Sequence, residues 1–189
     1  MKKIILSLAL ISAVAVMEAQ KSYALLVIDI QNFYFPGGGS ELVEPVQAAE
    51  KAATAIAHAR TENNPVIFIQ HKSAAGMEIN ELVKPVSGEA IFIKEEVNSF
   101  LGTGLTEYIK DLGVDTLVIC GMQTQMCVEA AVRAASDLGY YVFLLHDACA
   151  SRNLKFGDRE VPAADVHAST LAAMKSYAEV ISVEEWIRK

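Results

Sequence analysis

The sequence predicts a three-layer α/β domain with a mainly parallel, six-stranded sheet. Three observations lead there. Short apolar runs rich in β-branched residues alternate along the chain with longer segments of helical periodicity, the pattern of βαβ units with right-handed crossovers. The apolar runs are continuous rather than alternating, as in strands covered on both faces. Finally, 189 residues with 52% hydrophobic and 21% charged composition are enough for one sizeable core, and no linker divides them.

The elements follow in order from Lys21. Tyr23 to Ile30 is a buried strand, closed by Asp29, and the Pro36-Gly-Gly-Gly39 breaker places residues 31–40 in a loop. Val46, Ala49, Ala53, Ile56 and Ala57 recur at helical spacing, predicting a helix from Val43 to Asn63 that Pro65 ends. Val66 to His71 is the second strand and Lys72 to Glu89 an irregular stretch of the length of a functional loop. Ala90 to Lys94 is the third strand and Gly104 to Leu112 a short helix. Thr116 to Cys120 is the fourth strand, Tyr141 to His146 the fifth, Ala163 to Tyr177 a helix, and Glu179 to Ser182 a short last strand. In such sheets ligands bind beyond the carboxyl ends of the strands. Asp29, His71, Lys94, His146 and Asp147 all fall at those ends.

The first twenty residues read differently. Lys2 and Lys3 precede an apolar run from Ile4 to Val16 that leads to Met17-Glu-Ala-Gln20. A basic start, a short apolar segment and small residues before a cleavage point describe a signal peptide over residues 1–19, with the domain in 20–189. The expectation is export, to a bacterial periplasm, without a stable membrane anchor; a cytoplasmic protein with an N-terminal strand or helix is the alternative. A net charge of −7 without a Lys/Arg cluster excludes a nucleic-acid surface. The three cysteines form no CxxC pair, so zinc and thioredoxin-type chemistry are poorly supported. Whether Cys120 and Cys149 pair stays open.

The most informative stretch is Val114 to Gly139. Its strand stops at Gly121, and the polar turn Met122-Gln-Thr-Gln-Met126 delivers Cys127 to the start of an Ala-rich helix. Unpaired N–H groups at a helix start favour a thiolate and can hold an oxyanion. Cys127 is therefore the candidate nucleophile.

Asp29-Ile-Gln31 with Phe35, Lys94 on the third strand, and Gly121-Met-Gln-Thr-Gln-Met-Cys127-Val128 continuing to Asp147-Ala148 together resemble the isochorismatase-like cysteine hydrolase family. The resemblance covers most of Tyr23 to Trp186 and implies a Rossmann-like three-layer sandwich, and homo-oligomers, which are common among its members. It implies that Cys127 attacks a carbonyl carbon to form a thioester, with Asp29 as general base and Lys94 favouring the ionised forms of both. It also implies a non-proline cis peptide at Met122–Gln123, aiming the Gln123 N–H, with that of Cys127, at the oxyanion. Gln31, Phe35 and His71 are candidates for the substrate pocket. Nicotinamidases of the wider family hold a metal with Asp and His after the second strand. Here Gln70-His-Lys-Ser-Ala-Ala-Gly76 contains one His and no Asp, so no metal and no cofactor is expected. Members that cleave a vinyl ether tend to lack the cysteine, so its presence favours a carbon–nitrogen bond of a small amide, lactam or ureido compound. Phe156 to His167 is similar to a subgroup that includes streptothricin hydrolase-like proteins.

Three rival readings differ in chemistry. A Cys–His hydrolase would use His71 or His146 as base. A thiol redox or peroxide-responsive protein would need Cys149 to resolve an oxidised Cys127. A non-catalytic small-molecule-binding protein would retain the constellation by descent.

Overall fold

The computed structural model describes residues 23–189. The segment expected to be a signal peptide lies outside them. Six parallel strands form the main sheet in the order β3-β2-β1-β4-β5-β8. They are β1 (Tyr23–Ile28), β2 (Val66–His71), β3 (Ala90–Lys94), β4 (Thr116–Met122), β5 (Tyr141–Ala150) and β8 (Glu179–Ile181). The helices are α1 (Pro45–Thr61), α2 (Leu105–Leu112), α3 (Glu129–Asp137), α4 (Ala163–Met174) and α5 (Val183–Ile187). A hairpin of β6 (Leu154–Phe156) and β7 (Arg159–Val161) stands apart from the sheet.

Strand alternation sorts the core into two layers. Leu25, Val27, Phe68, Val118 and Cys120 face α1 and α5. Ala24, Leu26, Ile28, Ile67, Leu117 and Ile119 face α2, α3 and α4. The expected three-layer α/β/α sandwich with a mainly parallel six-stranded sheet is thus the observed one. On α1 the buried stripe is almost all alanine: Ala48, Ala49, Ala52, Ala55 and Ala59 with one Ile56. So small a stripe lets the helix lie close on the sheet, and Pro45 at the first helical position starts it two residues later than the periodicity suggested.

Several elements differ from the expected ones. The fifth strand runs on to Ala150, because its register against β4 breaks: Ile119 pairs with Leu144, then Gly121 with Cys149. His146 and Asp147 therefore lie inside β5 rather than at its end. Asp147 accepts from the Val183 N–H at the head of α5 and lies 3.7 Å from Lys51 on α1, so it ties two helices to the sheet. The helix expected to reach Tyr177 stops at Met174. Helix α5 was not expected, although Ser182 and Glu185 carry its capping box in the sequence.

The order of strands places the functional end of the sheet. Chain direction reverses its progress between β1 and the adjacent β4, which opens a crevice beyond their carboxyl ends. There β1 and β4 approach so closely that a side chain at Gly121 cannot be accommodated. Its φ is +133°, and a Cβ would fall inside the radius of the Ile28 carbonyl oxygen. Replacing Gly121 with Ala is expected to destabilise the fold by about 3 kcal/mol or more. The fall in urea midpoint measures this, and an unchanged midpoint would contradict the close approach.

Candidate active site

Asp29 follows β1 directly and has a left-handed backbone, φ 51°. Its N–H donates to the Ile69 carbonyl and its carbonyl accepts from Gln31, so the strand end is held while the carboxyl points across the crevice. Asp tolerates this conformation better than most residues. Lys94 is the last residue of β3, paired in register with His71 at the end of β2. Cys127 sits in a π-helical turn, Thr124–Val128, that joins β4 to α3. The peptide Met122–Gln123 is cis, as the resemblance implied.

The structure brings Asp29, Lys94 and Cys127 together from the ends of β1, β3 and β4. The Lys94 Nζ donates to Cys127 Sγ at 3.1 Å and lies 2.8 Å from Asp29 Oδ2. It also lies 3.0 Å from His71 Nδ1 and 3.2 Å from the Glu96 carbonyl. An ammonium has only three protons for these four acceptors. The Asp29 contact is the one that relies on charge: neither carboxyl oxygen makes a directed hydrogen bond among the described residues. Both side chains are fully buried, so the pair must be held by its surroundings.

Electrostatics differ from the expectation of a ready thiolate. Burial pushes the Cys127 thiol up to about 12, and the Asp29 carboxylate adds to that, while Lys94 pulls the other way. Burial also raises Asp29 above the ordinary carboxylate range, against the opposing pull of Lys94. Cys127 therefore rests as a thiol and gives up its proton by transfer. The helix start and Lys94 do not offset the loss of water around a side chain that is 4% exposed.

His71 has a defined tautomer. Lys94 can only donate, so His71 Nδ1 must be unprotonated and its proton lies on Nε2. Burial and the ammonium both lower its pKa. Its one basic nitrogen is occupied by Lys94, which disfavours His71 as the base of a Cys–His hydrolase. His146, inside β5, lines a different cavity with Cys149 and His167. Asp29, His71 and Cys127 could in principle ligate a metal, with one atom of each within 4.8 Å of the others. The Lys94 ammonium already touches all three, so a cation does not fit there while that side chain stays in place.

Two of the expected pocket residues do not line a cavity at the site. Gln31 is fully buried, with its amide accepting from the His71 N–H at 2.8 Å and donating to the His71 and Met77 carbonyls. It positions the end of β2. Phe35 packs into the core layer under α1. Its neighbours Phe33 and Tyr34 instead wall a cavity of about 790 Å³, along with His71, Gln123, Met126 and Arg152.

The nucleophile turn is cross-braced in ways that residue spacing does not reveal. The Gln123 carbonyl accepts from Met126 and Val128 but not from the intervening Cys127 N–H. The Ser151 hydroxyl donates to Gln125, whose amide donates to Gln123 at 2.8 Å, and Gln123 reaches the Tyr34 hydroxyl at 3.5 Å. Thr124 is tied to the Ala150 carbonyl and to His167 of α4. His167 thus supports the turn. Cys149 hydrogen-bonds to the Leu145 carbonyl, and all three cysteines are free thiols.

Known proteins match this arrangement along nearly the whole described chain. The isochorismatase domain model matches residues 23–185. The isochorismatase family protein YddQ of Bacillus subtilis is 40% identical over 87% of this chain and 98% of its own length. A streptothricin hydrolase of Streptomyces noursei is 33% identical over 82% of the chain and 57% of that protein. Among solved structures, an isochorismatase-family structure from Oleispira antarctica superposes with a TM-score of 0.87 at 38% identity, covering 92% of this chain and 100% of that one. With Asp, Lys and Cys converging at the crevice of the same fold, the chain belongs to the isochorismatase family of hydrolases.

Proposed function

We propose that this isochorismatase-family hydrolase cleaves a carbon–nitrogen bond of a small amide, lactam or ureido compound through a thioester on Cys127. The observation that carries the reading is the dry contact of the Lys94 ammonium with both the Asp29 carboxylate and the Cys127 sulfur.

Cys127 Sγ attacks the carbonyl carbon as its proton passes to Asp29, forming the C–S bond. The carbonyl oxygen becomes an oxyanion facing the Gln123 and Cys127 N–H groups, and Lys94 keeps its proton and offsets the charge passing beneath it. When the C–N bond breaks, the leaving nitrogen takes the proton from Asp29. Water then attacks the thioester carbon and loses a proton to Asp29. The C–S bond breaks, and the departing thiolate recovers that proton. The raised pKa of Asp29 favours nitrogen as the leaving atom: a carboxyl that binds a proton more firmly than usual can hold it until the amine departs, a service an amide requires more than an ester does.

Intact-protein mass spectrometry on wild type and Cys127→Ala, exposed to a panel of small amides, lactams and ureido compounds, tests the reading. An acyl adduct on wild type alone, lost on further incubation in water, is expected. No adduct, with Cys127 oxidised or in a disulfide, would favour redox chemistry instead. On a substrate so found, Asp29→Asn is expected to lower kcat/KM by about 10²–10⁴-fold. The sign of the pH dependence follows from the site. Protonating Asp29 removes the acceptor of the thiol proton, so the rate falls on the acid side, at a pH above the usual carboxylate range. No alkaline limb from Cys127 is expected near neutrality, since its thiol titrates at about 12. A bell-shaped profile with an alkaline limb close to pH 7 would contradict this resting state.

A further inference from the structure

We infer that His167 is a positioning residue for the hydrolysis: by holding Thr124 from α4, it keeps the Cys127 N–H out of the helical ladder and available to the oxyanion. The inference deepens the hydrolase reading above and rests on it for the oxyanion itself.

One hydrogen bond is missing from the turn that joins β4 to α3. In a regular α-helix the Cys127 N–H would donate to the Gln123 carbonyl, four residues back. Here that carbonyl accepts from Met126 at 3.1 Å and from Val128 at 3.3 Å, three and five residues on, and passes over Cys127. The wide π-helical turn Thr124–Val128 is what leaves the Cys127 N–H without that acceptor. Such turns are rare and occur mostly at functional sites. Tightening to an α turn would give the Cys127 N–H a partner in a buried setting, so the wide form has to be held from outside.

His167 supplies the restraint. Thr124 opens the turn and is fully buried. Its hydroxyl lies 3.0 Å from the Ala150 carbonyl at the end of β5 and 2.9 Å from His167 Nδ1 on α4. A hydroxyl has a single proton, and a carbonyl can only accept. The Thr124 proton therefore goes to Ala150, and the second contact is a hydrogen bond only if His167 carries a proton on Nδ1. Burial and the charge of His146 lower the His167 pKa, opposed by a hydrogen bond to the His146 backbone. Near neutrality the ring thus has one proton to place, and Thr124 is the side chain that claims it. The Thr124 carbonyl in turn accepts from the Glu129 N–H at the head of α3. The first residue of the turn is pinned to β5, α4 and α3 together. It cannot swing inward to bring the Gln123 carbonyl beneath the Cys127 N–H.

Two reagents that attack with the same sulfur read the oxyanion site apart from the thiol. p-Nitrophenyl acetate acylates Cys127 through a tetrahedral oxyanion, forming the C–S bond and releasing p-nitrophenolate. Iodoacetamide alkylates it by displacing iodide and develops no oxyanion. With Cys127→Ala as the blank, the ratio of acylation to alkylation rates is expected to fall about 10²-fold in His167→Ala, and as far in Thr124→Val. The double variant should fall no further than either, because both remove one interaction. His167→Asn, whose amide N–H can stand where the Nδ1–H does, should regain most of the ratio. Both rates falling together would mark a packing role and overturn the proposal, as would an unchanged ratio or additive losses in the double variant. Crystal structures of wild type and His167→Ala, or Thr124→Val should the former not fold, give a readout free of any reagent. The Cys127 N–H is expected to bond to the Gln123 carbonyl in the variant alone, and a turn that keeps its wild-type hydrogen bonds overturns the proposal. If iodoacetamide labels Cys127 and the ester never acylates it, the hydrolase reading fails by itself, while the paired structures still decide whether His167 holds the turn.

Discussion

The buried ammonium of Lys94 is the interaction on which the rest of this site depends. It lies within 3.1 Å of Asp29, His71 and Cys127, and it has no solvent exposure. A charge in that position is tolerated only because the acceptors around it are fixed by the sheet: Asp29 by the end of β1, His71 by β2, and the Glu96 carbonyl just past β3. Removing either member of a buried ion pair leaves the other charged and dry, at a cost of about 3–5 kcal/mol. The same arrangement sets the tautomer of His71 and offsets negative charge wherever the proton of Cys127 travels. Structure and chemistry thus meet at one atom.

This constraint explains why Cys127 rests as a thiol. A helix start and a nearby cation both favour a thiolate, and the sequence supplies both. Burial opposes them and prevails, lifting the thiol to about 12. On the proposed hydrolase reading the site then depends on a proton acceptor within reach, and Asp29 is the carboxyl group beside it. It also gives the second layer a purpose. Ser151, Gln125, Gln123, Tyr34, Thr124 and His167 hold the turn that carries Cys127.

Around this centre the wall of the cavity is drawn largely from loops. Phe33 and Tyr34 come from the segment after β1, Lys72 to Gly76 from the segment after β2, and Arg152 from the segment after β5. A sheet whose strand ends hold the reacting groups leaves such loops free to change the shape and charge of the mouth without disturbing the chemistry beneath. The rest of the wall comes from His71 at the end of β2 and from Gln123 and Met126 of the turn that carries Cys127.

By itself the sequence determined what depends on local pattern. Continuous β-branched runs between amphipathic helices specified the layered parallel sheet, and the polar residues interrupting those runs identified Asp29, Lys94 and Cys127 as groups sharing one edge. Tertiary structure alone decided which of them touch and in what protonation state, since contact and desolvation depend on strand order and on atoms far away in the chain. It separated Gln31, a buried brace, from His71, which faces the cavity, though both are polar residues at strand ends. It exchanged Phe35 for its two neighbours: all three pack on the core layer under α1, but only Phe33 and Tyr34 also reach the cavity wall. It extended β5 through a register break at Gly121, where the Ile28 carbonyl leaves no room for a side chain. And it left Arg152 without an ion-pair partner among the described residues, a property that no local pattern contains because it depends on which side chains the fold brings near.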